Sequence, residues 1–309
     1  MKKNKVEIDY IEIVIDINHT PEKVASCYQI FSDEKYNFEE SRVTYRPKKI
    51  ISEFDSVITL QSLSSIDESN SKLKITGNFY KWLYGHNVTG CESLIELVLQ
   101  TIEKLKNLNL VNPTEEQLET IRLGHFRLFK VDIKRDMIFD SKQNAIEYLS
   151  NLKNIATYPN QKKTVFENGI YFGFTSKRWH ICNYHKGREI KDNFKRSKTS
   201  LELKALADLM IRQEIRIKSK QLNEWNLQFA HQWLDTRYIN DFFNKKLDKT
   251  YIPELVIKNS NNDITDAIDR RFYNCLINGD IENTYSRSVI HKKSKEFLKK
   301  YNIDIKKFS

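Results

Sequence analysis

The segment Trp179–Lys186 reads WHICNYHK. In an extended strand successive side chains point to opposite faces, so His180, Cys182, Tyr184 and Lys186 share one side, with Trp179 and Ile181 on the other. An apolar face opposite a face carrying Tyr and Lys suggests that the polar side lines a site. The competing reading is an amphipathic edge strand with a solvated tyrosine. A phenol titrates near pH 10, so it needs help to act as a nucleophile at neutral pH, and a neighbouring ammonium favours the phenolate. The segment Ile211–Lys218 (IRQEIRIK) alternates likewise: Ile211, Gln213, Ile215 and Ile217 face one way, and Arg212, Glu214, Arg216 and Lys218 the other. One carboxylate among three cations suits a place where a divalent metal meets a phosphate, although ion pairing along a surface strand would give the same pattern.

Two further clusters could serve such a site. Asp132 reads as the end of the strand HFRLFKVDI, where a carboxylate is a turn residue or a metal ligand; on the residues themselves the turn is favoured. In Tyr80–Gly90 (YKWLYGHNVTG), Gly85 permits a tight turn, and His86-Asn87 could then bind metal or phosphate. A lone histidine is more often a satisfied structural residue.

These residues must be placed by a mixed scaffold. Alternating apolar and polar residues predict strands at Tyr10–Ile17, Val57–Leu63 and Leu73–Phe79, with a loop at 67–71. Further strands are expected at His125–Ile133, Lys163–Phe166, Ile170–Phe174, Arg178–Tyr184 and Ile211–Lys218. Apolar residues at three- and four-residue spacing predict helices over Cys91–Asn107, Ser141–Leu152 and Ser200–Met210, and a short one from Thr114 to Leu123. After Leu222 the pattern turns helical, at Glu224–Asp235, Asp241–Leu247, Asp263–Asn278 and Thr284–Tyr301. The expected fold is therefore α+β: an antiparallel sheet with flanking helices over 1–222, and a small helical region over 223–309.

Composition narrows the partners. The 309 residues carry a formal charge of +10, and the stretch Ser176–Lys220 holds 13 basic against 5 acidic residues, so nearly all the excess lies around the polar segments. That favours an anionic partner such as nucleic acid; a basic face kept for solubility is the bland alternative. No apolar run approaches the roughly 20 residues of a membrane span, so no membrane is expected. The N-terminus reads as a strand rather than a signal peptide. The 4 cysteines show no CxxC spacing and read as reduced thiols of a cytosolic protein, here in the cytoplasm of a bacterial host. No Walker motif is present, which argues against a built-in helicase.

Four blocks in order, over about residues 72–222, resemble the replication initiators of filamentous phages and related plasmids, the phage gene II/gene X protein family: KWLYGHNVTG, FKVDI, GFTSKRWHICNYHKGREI and MIRQEIRIKSKQL. The chain departs from the usual pattern at Asn183, where the family has an aliphatic or aromatic residue. The resemblance implies a palm-like nicking domain that cuts one strand of a supercoiled double-stranded origin, keeps the 5′ phosphate on a tyrosine, and rejoins the displaced single strand. Carried over by motif position, the nucleophile is Tyr184, assisted by Lys186. Asp132, Glu214 and Glu189 become candidate ligands of Mg²⁺ or Mn²⁺, with His86 a further candidate. None of the 7 histidines forms the His-x-His pair common in other rolling-circle enzymes, so carboxylates must dominate. Lys177, Arg178, Arg188, Arg212, Arg216 and Lys218 are candidate DNA contacts. Lys292 and Lys293 join them, on a basic helix that either forms a helix-turn-helix-like reader with its predecessor or only packs on the catalytic part. Host helicase and polymerase are the implied partners. The rival readings are a non-cleaving origin-binding regulator and a relaxase-type mobilisation protein. The leading one requires the Tyr184 phenol to be accessible and within about 10 Å of residues 132 and 214.

Overall fold

The structure, a computed structural model, describes residues 2–3, 5–31, 42–63, 72–192, 199–250, 264, 266–277 and 280–301. The expected loop at 67–71 and both ends of the expected helix Asp263–Asn278 lie outside them. In chain order the elements are β1 (Lys2–Lys3), β2 (Glu7–Asp16), β3 (Ala25–Phe31), β4 (Arg42–Ile51), β5 (Val57–Ser62), β6 (Lys72–Gly77), α1 (Phe79–Tyr84), α2 (Leu94–Asn107) and α3 (Glu115–Arg122). There follow β7 (Arg127–Ile138), α4 (Lys142–Ile155), β8 (Lys163–Phe166), β9 (Gly169–Phe172), β10 (Trp179–His185), α5 (Lys186–Asp192), α6 (Leu201–Asp208) and β11 (Met210–Lys218). The remainder is helical: α7 (Ser219–Glu224), a 3₁₀ turn at Ala230–Trp233, α8 (Thr236–Leu247), α9 (Ala267–Ile277), α10 (Ile281–Thr284) and α11 (Arg287–Tyr301).

The strands form one sheet in the order β3-β4-β5-β6-β2-β7-β11-β10-β9-β8, with β1 also on β7. The strand pairs are antiparallel. Alternation explains the layering. In β2, Ile11, Ile13 and Ile15 are buried, and the row Trp179–Ile217–Val131–Ile11 crosses four strands on the same face. That face shares one apolar core with Leu97, Val98 and Ile102 of α2, Leu149 and Leu152 of α4, and Phe243 of α8. Helix starts are marked by caps: Ser93 accepts from the Glu96 amide, and Thr114 with Gln117 forms a capping box.

Several boundaries differ from those expected. β7 runs to Ile138, so Asp132 lies in mid-strand rather than at a strand end. Glu224–Asp235 is no single helix; Asn226 takes φ 53°, a left-handed conformation that interrupts it before the 3₁₀ turn. Leu222, Leu227, Trp233, Ile239 and Leu247 belong to the main core, whereas Ile264, Phe272, Tyr273, Leu276, Ile281 and Phe297 form a second cluster of their own.

Candidate active site

The second face of the sheet carries charge. Register places His180, Arg216, Asp132 and Tyr10 in one row across β10, β11, β7 and β2. The next row is Cys182, Glu214, Lys134 and Glu7, and the third is Tyr184, Arg212 and Asp136. Directly opposed residues in an antiparallel sheet share a face. Tyr184, Glu214 and Asp132 therefore project from one surface, although they come from three segments of the chain.

The Tyr184 hydroxyl donates a hydrogen bond to Glu214. The other Glu214 oxygen accepts from Arg216 at 2.8 and 2.9 Å and from the Cys182 thiol at 3.4 Å. Burial would raise the Glu214 carboxyl, but Arg216 and Arg212 outweigh it and hold it below the usual carboxylate range. The phenol of Tyr184 moves the other way, well above its ordinary value, through burial and then the Glu214 charge. The proton thus belongs to Tyr184, bonded to an ionised carboxylate. The required proximity to Glu214 is present. The required accessibility is not, because Tyr184 is only 6% exposed. The hydroxyl can meet a phosphate only after this bond opens and neighbouring side chains shift.

Asp132 lies 3.2 Å from Lys130 and 3.8 Å from Arg216, while its Oδ1 is buried with no hydrogen-bond partner. Desolvation raises its pKa to about 7, against the opposing pull of Lys130 and Arg216. His180, in the same row, is buried with neither ring nitrogen partnered, and burial followed by Arg216 lowers it to about 4, so its imidazole is neutral. Among the described residues no three His, Cys, Asp or Glu side chains are gathered to hold a metal ion. The donor chemistry nevertheless suits Mg²⁺, which is commonly held by one or two carboxylates with water and substrate phosphate completing its shell. The open Oδ1 of Asp132 and the carboxylate of Glu214 are such donors. Glu189 and His86 belong elsewhere: Glu189 pairs with Lys186 at 2.6 Å, and His86 is lowered by burial and then by Lys134 and Lys186.

The Gly-His-Asn segment is the clamp of the site. Asn78 caps α1, and Gly85 ends it at φ 81°, where an added Cβ would come within 2.8 Å of the Phe54 ring. The chain then crosses the charged face. Asn87 accepts from Lys186 through its side chain at 2.8 Å and from Arg212 through its carbonyl at 2.7 Å. Lys134 bonds the carbonyls of Asn87 and Thr89, and Arg212 also reaches that of Val88. These bonds bring the first block of the sequence onto the third and fourth.

They also decide what the cations can do. Arg212 is completely buried, bonded to Asp136 through Nε and Nη2 at 2.7 and 2.8 Å, so the expected DNA contact is corrected to an internal strut. Lys186 is fully buried too, on Asn87 and Glu189 rather than on Tyr184, and opens α5 instead of continuing β10. Burial and then Arg212 lower its pKa to about 8. Lys218 is half-buried on the Ser176 carbonyl, and Arg178 is exposed but paired with Glu224 at 2.8 Å. Lys177 and Lys292 are exposed, Arg188 and Arg216 are half-buried, and Lys293 is bonded to Asp269 at 2.6 Å. The site residues that sequence reading passed over are His180, Lys134, Asp136 and Asp9. The alternation of Asp132, Lys134 and Asp136 would have exposed two of them had the strand been carried past Ile133.

Sequence similarity agrees with this arrangement. The chain is 24% identical over 234 residues to the replication-associated protein of Enterobacteria phage I2-2, a match covering 73% of this chain and 66% of that relative, slightly under two thirds of its length. A solved rolling circle replication initiator protein from Geobacillus stearothermophilus aligns over 82% of this chain and 87% of its own at 10% identity, with a TM-score of 0.35. A family model for the N-terminal part of this phage replication-associated protein matches residues 8–236, a span that includes Asp132, Tyr184 and Glu214. The chain belongs to that family of phage replication-associated proteins, the one to which its four sequence blocks point.

Proposed function

We propose that this protein initiates rolling-circle replication by nicking one strand of a supercoiled origin and later rejoining the displaced single strand. What supports the reading most is the single bond between Tyr184 and Glu214, made on a face that also carries Asp132. In the proposed reaction the Tyr184 oxygen attacks the scissile phosphorus and the P–O3′ bond breaks. The 5′ phosphate stays on Tyr184, and the 3′ oxygen leaves with a proton as the primer terminus. The phosphotyrosyl ester retains the energy of the broken bond, so attack by a 3′ hydroxyl reverses the step without nucleotide.

Asp132 and Glu214 are the proposed holders of a divalent cation, Mg²⁺ or Mn²⁺, which would neutralise charge on the scissile phosphate when bound. Glu214, ionised and already bonded to the phenol, is also placed to receive the Tyr184 proton. Lys186 acts through Asn87 and Glu189 as a positioning residue, and Arg216 is the cation beside both carboxylates best placed to meet a phosphate. Unwinding and synthesis are assigned to host helicase and polymerase. Exposed Lys177, half-buried Arg188 and exposed Lys292 remain proposed phosphate contacts.

The decisive experiment incubates protein, Mg²⁺ and supercoiled DNA carrying the replicon's own origin. Open circles with protein on the 5′ end support the proposal; intact supercoils with a gel shift support a non-cleaving regulator. A second nucleophile has one observation in its favour: Tyr171 is half-exposed on the same face, opposite Cys182. Burial raises it to about 12, so it too would need activation. Nicking that survives Tyr184→Phe and is lost in Tyr171→Phe would transfer the role.

A further inference from the structure

The outer hairpin of the sheet exposes aromatic rings. Phe166 on β8 and Phe174 just after β9 are 39% and 45% exposed, although an edge strand ordinarily avoids such groups. With Tyr171 they form a triangle of ring centroids at 5.1, 5.1 and 5.4 Å, and Phe174 lies 6.3 Å from His180. Phe166 also lines a cavity of about 600 Å³ together with Asn168, Arg188, Lys191, Lys142 and Glu167. Three cations against one carboxylate, beside an aromatic wall, complement a phosphate chain bearing flat bases. The volume lies within the range of small-ligand pockets and has room for a nucleotide.

Its position ties it to the nucleophile. Gly169 stands opposite Tyr184, and a Cβ there would come within 2.8 Å of the Tyr184 Cβ. The Asn168 carbonyl accepts the His185 amide at 3.2 Å, so the cavity's rim is bonded to the residue after Tyr184. A strand leaving the phosphorus would pass this hairpin first.

We infer that the β8–β9 hairpin, with Arg188 and Lys191 of α5, seats single-stranded DNA beside the nick, its bases stacked on Phe166 and Phe174. The inference rests on the nicking reading and adds to it the place where the unpaired strand is held. Duplex DNA keeps its base faces covered by neighbouring pairs, so stacking of this kind selects single strands and tolerates any sequence.

The test uses the full chain and two probes: a fluorescein-labelled fifteen-nucleotide oligothymidylate and a mixed-sequence duplex of equal length. Phe166→Ala with Phe174→Ala is expected to weaken oligothymidylate binding by about tenfold or more while changing duplex binding by less than about twofold. Arg188→Gln with Lys191→Gln should weaken the same probe and flatten its salt dependence. Because a double variant can misfold, a second measurement uses the unaltered protein. Oligothymidylate carrying 5-iodouracil should photocrosslink within the peptide 163–174. Crosslinks confined to other peptides, or unchanged oligothymidylate affinity in a folded Phe166/Phe174 variant, overturn the inference. Nicking assayed in parallel separates the two ideas: a Tyr184→Phe protein that still nicks refutes the nucleophile and leaves the seat standing.

Discussion

The chemistry of this protein turns on how one phenol is held. Tyr184 is protonated, buried and bonded to a carboxylate kept ionised by two arginines. Tyr184→Phe is expected to abolish nicking while leaving DNA affinity within about twofold, since the lost atom is the attacking one. The thermal midpoint should move little, because one hydrogen bond contributes about 1 kcal/mol and Glu214 keeps Arg216. Asp132 leaves a different signature. Its folded pKa, raised to about 7 by burial, lies above the ordinary aspartate value near 3.9. A group that holds its proton more tightly when folded stabilises the fold fully below about pH 4, and that contribution is lost as pH rises through about 7. Melting temperatures of the metal-free protein should therefore fall across this window, and Asp132→Asn should flatten the fall. Added Mg²⁺ at about pH 8 should recover stability in the parent and not in the variant. An unchanged slope in Asp132→Asn would remove the buried carboxyl as the cause.

At the level of elements, two backbone features position that chemistry. Gly169 lets β9 approach Tyr184; with a Cβ it would also lie 2.7 Å from the Asn183 carbonyl. Gly169→Ala is expected to displace β10 and cut the nicking rate by about tenfold or more, a misplacement effect that single-turnover nicking would detect. Asn87 joins Lys186, Arg212 and Asp9 in the clamp. Asn87→Ala leaves the buried Lys186 ammonium without one of its two acceptors, and denaturant titration should show a loss of about 1–3 kcal/mol. Legibility at this scale followed periodicity. The strand alternation of WHICNYH and IRQEIRIK was readable because half-buried strands repeat every second residue. The helices α1 and α5 were not, since each is under two turns long and shows no helical period. Gly187 further disguises α5, yet it is needed there: a Cβ would come within 2.1 Å of Asp208 on α6.

For the molecule as a whole, charge and core divide differently. The excess of basic residues gathers around the active face, but several of those cations hold the fold together instead of facing solvent. On α11, Lys293, Lys300 and Tyr301 all bond Asp269, leaving Lys292, Lys295 and Lys299 exposed. If that helix contacts duplex DNA, changing these three to Gln should reduce the slope of log affinity against log salt by about 2 to 3. A slope that does not change would confine α11 to packing within its own cluster. Among the described residues no helix is long and apolar enough to cross a membrane.

Local pattern in the chain was enough to identify the antiparallel α+β class, the two polar strand faces and the family blocks, since each depends on neighbours a few residues away. It could not say which arginine would meet DNA and which would be buried. That depends on register: Arg212 finds Asp136, 76 residues earlier, because β11 lies beside β7 with these two positions opposed. A slip of one residue would have turned Arg212 to the apolar face and Gln213 to the charged one. Pairing between distant strands therefore made Arg212 a strut, put the Tyr184 phenol against Glu214, and left one oxygen of Asp132 open.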